Sequence, residues 1–303
     1  MSPPFRSANR QAHVPRYLYI VSLERSGSTP LTFNLGLRPG FAALGEIDRT
    51  LELMARPGGF SGRDCSCGAT IPDCPVWAPV ARESPVLAAM RVAERYQRLD
   101  TLLEPVLGAD TVVVDGSKPL ATLQAIRPVF DERLFAVHLV KDVRAYLEST
   151  LQRMATMDQE RLWAEALQRQ PLRARLVRAL PDSLVYLLRW TRQNRAMRDW
   201  LAGQDMSWLR IGYETLCAEP DAWLKTMAKL AATKTDQAQH HILLGSFGYL
   251  DSDRPKTLTL DECWHRSPRR RLLDVAHSAV AGLNRELAEP FVHHASSARS
   301  ITT

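Results

Sequence analysis

Residues 17–37 read YLYIVSLERSGSTPLTFNLGL. The opening run, Tyr17 to Leu23, is short, apolar and rich in β-formers, which predicts a strand. It ends at the polar, glycine-bearing turn ERSGST, after which Pro30 to Leu37 reads as a helix, with Pro30 in the first turn and Thr29 as a candidate N-cap. The order is strand, loop, helix. Ser22 to Thr29 keeps the spacing of a phosphate loop, GxxxxGK[ST], but Ser22 replaces the first glycine and Ser28 replaces the lysine. An enzyme that works on nucleoside triphosphates needs that lysine for the β- and γ-phosphates, and a metal-binding carboxylate besides. What remains is a concave run of N–H groups at a helix N-terminus, with Arg25, Ser26, Ser28 and Thr29 as side-chain donors, suited to a short anionic group.

Outward from this unit the same alternation continues. Thr111 to Asp115 (TVVVD) and Leu134 to Val140 (LFAVHLV) are continuous apolar runs of the kind buried on both faces of a sheet, and Trp208 to Ile211 predicts a further strand. Helical spacing covers Ser84 to Leu107, about 119–130, a segment through about Thr150, and an Arg-rich stretch from about Asp158 to Ala202. Strands alternating with helices predict an α/β protein: a three-layer, P-loop-like fold with a central parallel sheet flanked by helices. The expected organisation is a flexible segment over 1–16, one domain over 17–290 and a flexible tail over 291–303. Within the domain, 58–79 is a Cys/Pro/Gly-rich excursion pinned by Trp77, and 151–202 is a helical insert. Thr257 to Leu287 reads as helical after the irregular Gly245 to Lys256.

At 303 residues with 45% hydrophobic content the chain can bury a substantial core. The first sixteen residues hold no apolar run of a secretory signal, and no stretch reaches the roughly eighteen apolar residues of a membrane span, so a soluble, cytoplasmic protein is expected. A net charge of +6 favours anionic partners. Nucleic acid is not expected among them, because the arginines lie along helical stretches without aromatic interleaving and no recognition signature is present. Cys65, Cys67 and Cys74 cluster, while Cys217 and Cys263 stand alone. Three clustered cysteines are one ligand short of a closed zinc site, so reduced thiols packed in a turn are favoured over a local disulfide or a metal. His138, His240 and His241 show no metal-ligand spacing.

Several motifs, in order, resemble the sulfotransferases that use 3′-phosphoadenosine 5′-phosphosulfate (PAPS), specifically the bacterial and Golgi-like branch in which an R-S-G-S/T-T loop follows the first strand. They are RSGST at Arg25 to Thr29, LGE at Leu44 to Glu46, CSCG and CPVW at Cys65 to Trp77, VVDGSKP at Val113 to Pro119, HLVKDVRAYLES at His138 to Ser149, and YETL at Tyr213 to Leu216.

This resemblance implies transfer of a sulfuryl group from PAPS to a hydroxyl of a carbohydrate, glycolipid or small molecule, without a metal. Arg25, Ser26, Gly27, Ser28 and Thr29 would hold the 5′-phosphosulfate. Glu46 would be the base, with Asp48 and Asp115 as alternatives, and Lys118 a cation at the transferring group, paired with or oriented by Asp115. Lys141 and Ser149 would bind the 3′-phosphate. Lys141 stands where the family has Arg and Val143 where it has Pro, so the bidentate fork of Arg is lost. Tyr213 would lie near the adenine, although Gly212 replaces the arginine before it, and Arg254 would come from a late loop. Arg144 reads as a surface or salt-bridge residue, not a ligand. Trp190 and Asn194 share one helix face, as packing plus one buried hydrogen bond. A P-loop small-molecule kinase and a non-catalytic protein that binds 3′-phosphoadenosine 5′-phosphate (PAP) are the competing readings.

Overall fold

The strand at Tyr17 lies in the middle of the sheet. The computed structural model describes residues 16–58, 63–158, 168, 171, 177–231, 233, 235–244, 257–260 and 262–294. The first half runs β1 (Tyr17–Ser22), α1 (Ser28–Gly36), β2 (Phe41–Gly45), α2 (Ile47–Met54), α3 (Trp77–Ala89), α4 (Val92–Leu107), β3 (Val112–Lys118) and α5 (Leu120–Phe130). It continues with β4 (Leu134–Val140), α6 (Val143–Ala155), α7 (Asp182–Ala202), β5 (Trp208–Gly212), α8 (Tyr213–Ala218), α9 (Pro220–Leu230), β6 (Gln239–His240), α10 (Arg270–Ala288) and β7 (Phe291–His293). These strands form a sheet in the order β6-β2-β3-β1-β4-β5-β7, in which only the β5–β7 pair is antiparallel.

Alternation along β1 separates two layers. Tyr17, Tyr19 and Val21 face a core built with Leu51, Trp77, Leu99 and Leu123, while Leu18 and Ile20 face Leu31, Leu35, Leu216 and Met227. Helices therefore cover both faces, as a parallel sheet requires. A third cluster, around Tyr146, Trp190 and Leu287, packs α6, α7 and α10 together.

The α/β class and the strands at β1, β4 and β5 agree with the sequence reading. Several elements differ from it. The strand β2 (FAALG) is new; its two alanines and terminal glycine carry little strand signal, and pairing with β3 and β6 supplies what propensity does not. Pairing likewise creates the two-residue β6, and it draws residues 291–293, expected in the flexible tail, into β7 against β5. The single helix expected over 84–107 is two, parted where Met90 and Arg91 turn extended, and α3 begins at Trp77, inside the expected excursion. The helix after β1 starts at Ser28, earlier than Pro30, and its N-cap is Gly27 in the left-handed region, so Thr29 is no cap. Finally, β3 continues through Lys118, which was expected beyond the strand.

Parallel pairing brings the carboxyl ends of β1, β2, β3 and β4 to one edge, where open α/β sheets bind ligands. Two irregularities sharpen that edge. Between Tyr19↔Asp115 and Val21↔Lys118, β3 carries an extra residue relative to β1, and between Ala43↔Val114 and Gly45↔Asp115, β2 carries one relative to β3. Such bulges re-aim the side chains that follow them, here Glu46 and Lys118. Among the described residues no helix is long and apolar enough to cross a membrane.

Candidate active site

The loop between β1 and α1 turns through two left-handed residues, Arg25 (φ 67) and Gly27 (φ 89). Gly27 is obligatory for a second reason: a Cβ there would lie 2.2 Å from the ring of Tyr213. Among the described residues the amides of Gly27, Ser28 and Thr29 meet no backbone acceptor, as expected for the orphan donors of a helix start. Pro30, third in α1, has no N–H to orphan. Ser26 and Ser28 are buried, and Arg25 is exposed. The loop is tied at both shoulders. Arg189 of α7 donates to Glu24 Oε2 at 2.5 Å, and Arg25 Nε donates to Ser149 Oγ on α6 at 2.9 Å.

At the ends of β2 and β3, Glu46 and Lys118 meet in a buried ion pair, Lys118 Nζ donating to Glu46 Oε1. Arg49 Nη1 stands 3.8 Å from the other carboxylate oxygen. Lys118 adopts φ 84, a strained value for a residue with a Cβ, and Pro119 follows it. The Tyr19 hydroxyl donates to the Pro119 carbonyl at 2.9 Å and fixes this turn.

Of the two expected relations of Asp115 to Lys118, pairing and orienting, pairing does not occur: Lys118 pairs with Glu46. Asp115 is instead a hub: Tyr96 Oη donates to it at 2.6 Å, Ser117 N at 2.9 Å, Ser117 Oγ at 2.5 Å and Ile47 N at 3.4 Å. These contacts bind the start of α2, just after Glu46, to the end of β3. Burial, and then the nearby Asp48 charge, push the Asp115 carboxyl up to about 7, against the hydrogen bonds from Ser117 and Tyr96. Burial also raises Asp48, although Thr122 donates to it at 2.6 Å and Arg95 lies 3.7 Å away. Neither Asp48 nor Asp115 forms an ion pair with Lys118, as Glu46 does.

Lys141 precedes α6 and Ser149 lies two turns inside it, and both are buried. Lys141 Nζ lies 5.4 Å from the centroid of the Tyr213 ring, within cation–π range. The Tyr213 hydroxyl donates to the Thr259 carbonyl at 3.0 Å. Tyr213 thus touches both the loop and Lys141. Asp142 caps α6 by accepting from Arg144 N at 2.8 Å, and the Arg144 guanidinium pairs with the same carboxylate at 3.0 Å, as read from the sequence. Trp190 Nε1 donates to the Lys141 carbonyl at 3.0 Å, and Asn194, one turn on, accepts from His138 Nε2 through its Oδ1 at 3.2 Å. Packing plus one buried hydrogen bond was expected of this pair; both side chains are buried and each makes a hydrogen bond, Trp190 to the backbone of Lys141. Arg254 lies outside the described residues.

A second grouping was not found in the sequence. His241, given no role there, places Nδ1 beside the sulfurs of Cys65, Cys67 and Cys74, and the four ligand atoms all lie within 4.8 Å of one another. A fourth potential ligand atom thus stands beside the three cysteines, from a residue 167 positions beyond Cys74, which linear spacing does not register.

Compared with solved structures, the chain shares its fold with the sulfotransferase domain from the Synechococcus PCC 7002 olefin synthase, at 19% identity and a TM-score of 0.50 over 95% of this chain and 99% of that one. A sulfotransferase from Alicyclobacillus acidocaldarius aligns over 90% of this chain and 95% of its own, at 15% identity and a TM-score of 0.45. No family model and no curated protein matches the sequence.

Proposed function

We propose that this chain is a PAPS-dependent sulfotransferase acting on a hydroxyl. The reading rests above all on the contact between Arg25 and Ser149, 124 positions apart in sequence. It joins the loop suited to a 5′-phosphosulfate to α6, whose Ser149 is proposed for the 3′-phosphate. PAPS carries those two groups on one ribose, so a site for it must unite the two elements. A triphosphate site lacks that need and requires the lysine that Ser28 replaces. The fold shared with a solved sulfotransferase domain agrees with this reading.

In the proposed reaction the acceptor oxygen attacks sulfur in line, the bond from sulfur to the 5′-phosphate oxygen breaks, and PAP leaves. Glu46 takes the hydroxyl proton. The loop amides, with Arg25 and Lys118, offset negative charge on the transferring group and leaving oxygen, so no metal is required at this edge. Lys118 is paired with Glu46 in the free site. As charge grows on the leaving oxygen, the ammonium moves its interaction there, leaving the carboxylate to the proton. Lys141 and Ser149 hold the 3′-phosphate, with Tyr213 beside the adenine.

The test is PAP release from PAPS across a panel of sugar, glycolipid and small-metabolite hydroxyls, in the native chain and in Glu46→Gln. The variant should lose turnover while still binding PAP. Undiminished turnover in Glu46→Gln removes Glu46 as base, and absence of turnover with every acceptor despite PAP binding favours a non-catalytic binding protein.

A further inference from the structure

We propose that Cys65, Cys67, Cys74 and His241 bind one zinc ion as a closed structural site. In a tetrahedral zinc centre with bonds of ~2.3 Å to sulfur and ~2.05 Å to nitrogen, edges are about 3.8 Å between sulfurs and about 3.5 Å between sulfur and nitrogen. Here Cys74 Sγ lies 3.6 Å from Cys65 Sγ and 3.8 Å from Cys67 Sγ, while His241 Nδ1 lies 3.3 Å from Cys74 Sγ and 3.9 Å from Cys65 Sγ. Thiols packed merely as small apolar groups have no reason to converge on an imidazole nitrogen at tetrahedral edge lengths. Three sulfurs and one nitrogen form a donor set suited to zinc, and four protein ligands leave no open position for catalysis.

The backbone around the cluster is built to aim these atoms. Cys65 opens, and Cys67 lies within, a tight turn closed by Gly68 N donating to the Cys65 carbonyl at 2.9 Å, with Gly68 at φ 92 and open space where a Cβ would sit. A 3-10 turn at Ile71–Asp73 then returns the chain, and Cys74 N donates to the Thr70 carbonyl at 2.8 Å. Trp77 N points at Cys74 Sγ at 3.5 Å, and the Trp77 indole donates to the His241 carbonyl. Such outer contacts fix ligand orientation.

The four ligands also come from two segments that need joining. His241 follows β6 and donates its N–H to Ala43 of β2 at 2.9 Å, while Cys65 bridges to Leu243. The ion would staple the excursion to the sheet edge whose neighbouring strand, β2, ends next to Glu46. That makes the site a support for the active edge, separate from the chemistry there.

The full chain, expressed in zinc-supplemented medium and purified anaerobically without chelators or added thiols, should carry about one zinc by elemental analysis. Replacing zinc with cobalt should give thiolate-to-cobalt charge-transfer bands and the intense d–d bands of a tetrahedral site, a readout that needs no variant. After denaturation and acid removal of the metal, all five cysteines should alkylate. Cys67→Ser, at the most exposed ligand, and His241→Asn should each weaken zinc at least about tenfold against a chromophoric chelator, with the fold checked by circular dichroism. The proposal is overturned by less than about one tenth zinc per chain together with no cobalt charge-transfer band, by a mass showing two of the clustered cysteines joined in a disulfide, or by unchanged zinc affinity in both folded variants.

Discussion

The edge formed by β1, β3 and α6 and the corner formed by β2, β6 and the cysteine turn are both meeting points of distant residues, yet they were written into the sequence differently. At the first, Glu46 and Lys118 sit in local motifs at strand ends, and Lys141 and Ser149 in one motif that runs from the end of β4 into α6, so the parallel sheet needs only to line those segments up. At the second, three ligands lie within ten residues of one another while the fourth, His241, arrives through a two-residue strand. A motif that carries its own geometry can be read in one dimension. A ligand delivered by tertiary pairing cannot.

The comparison predicts that damage at one site should leave the other intact. The largest effect belongs to Lys118. Lys118→Met should lower kcat about 10²–10³-fold, by removing a cation from the developing charge, while zinc content stays unchanged. A parallel loss of zinc would show that the two sites are one cooperative unit.

Next comes pH. Asp115 is pushed up to about 7 by burial, then by Asp48, so the folded chain keeps a proton that the unfolded chain releases near pH 4. Its contribution to stability is full below about pH 4 and is lost as pH rises through about 7, by up to about 4 kcal/mol. Urea unfolding of Asp115→Asn should show this slope removed: relative to the native chain, the variant gains stability between about pH 5 and about pH 8. An identical pH profile in both chains would mean Asp115 is ionised throughout.

Smaller effects should follow on the nucleotide side. Arg25→Ala removes a charge and its bond to Ser149, and should weaken PAP about 10–100-fold by calorimetry, with Ser149→Ala losing less. Gly27→Ala forces a Cβ into the Tyr213 ring at a left-handed φ and should cost about 1–3 kcal/mol in thermal or urea unfolding. An unchanged melting temperature would show that Tyr213 swings clear of the loop.

Most of the sheet's centre was legible. β1 and β4 are continuous apolar runs whose neighbours leave few alternatives, and the boundaries read for β4 are those observed. β2 was missed because FAALG is alanine-rich and its strand state comes from β3 and β6. The break between α3 and α4 carries no glycine or proline at Met90 and Arg91, whereas Pro85 and Pro105 lie inside the helices. Of the proposed site, the motifs singled out Glu46, Lys118, Lys141 and Ser149. Their partners were not legible: the sequence offered Asp115 to Lys118, and the bulges at Leu44 and Gly116–Ser117 redirected Lys118 to Glu46. Tyr96, which holds Asp115 from α4, carried no signal beyond that of a core aromatic.

The most direct measurement is calorimetric titration of the full chain with PAP, set beside ATP with magnesium and adenosine 5′-phosphosulfate, which lacks the 3′-phosphate. PAP should bind saturably at one to one, the compound without the 3′-phosphate markedly more weakly, and ATP not at all. Tight ATP binding with no response to PAP would contradict the proposed function.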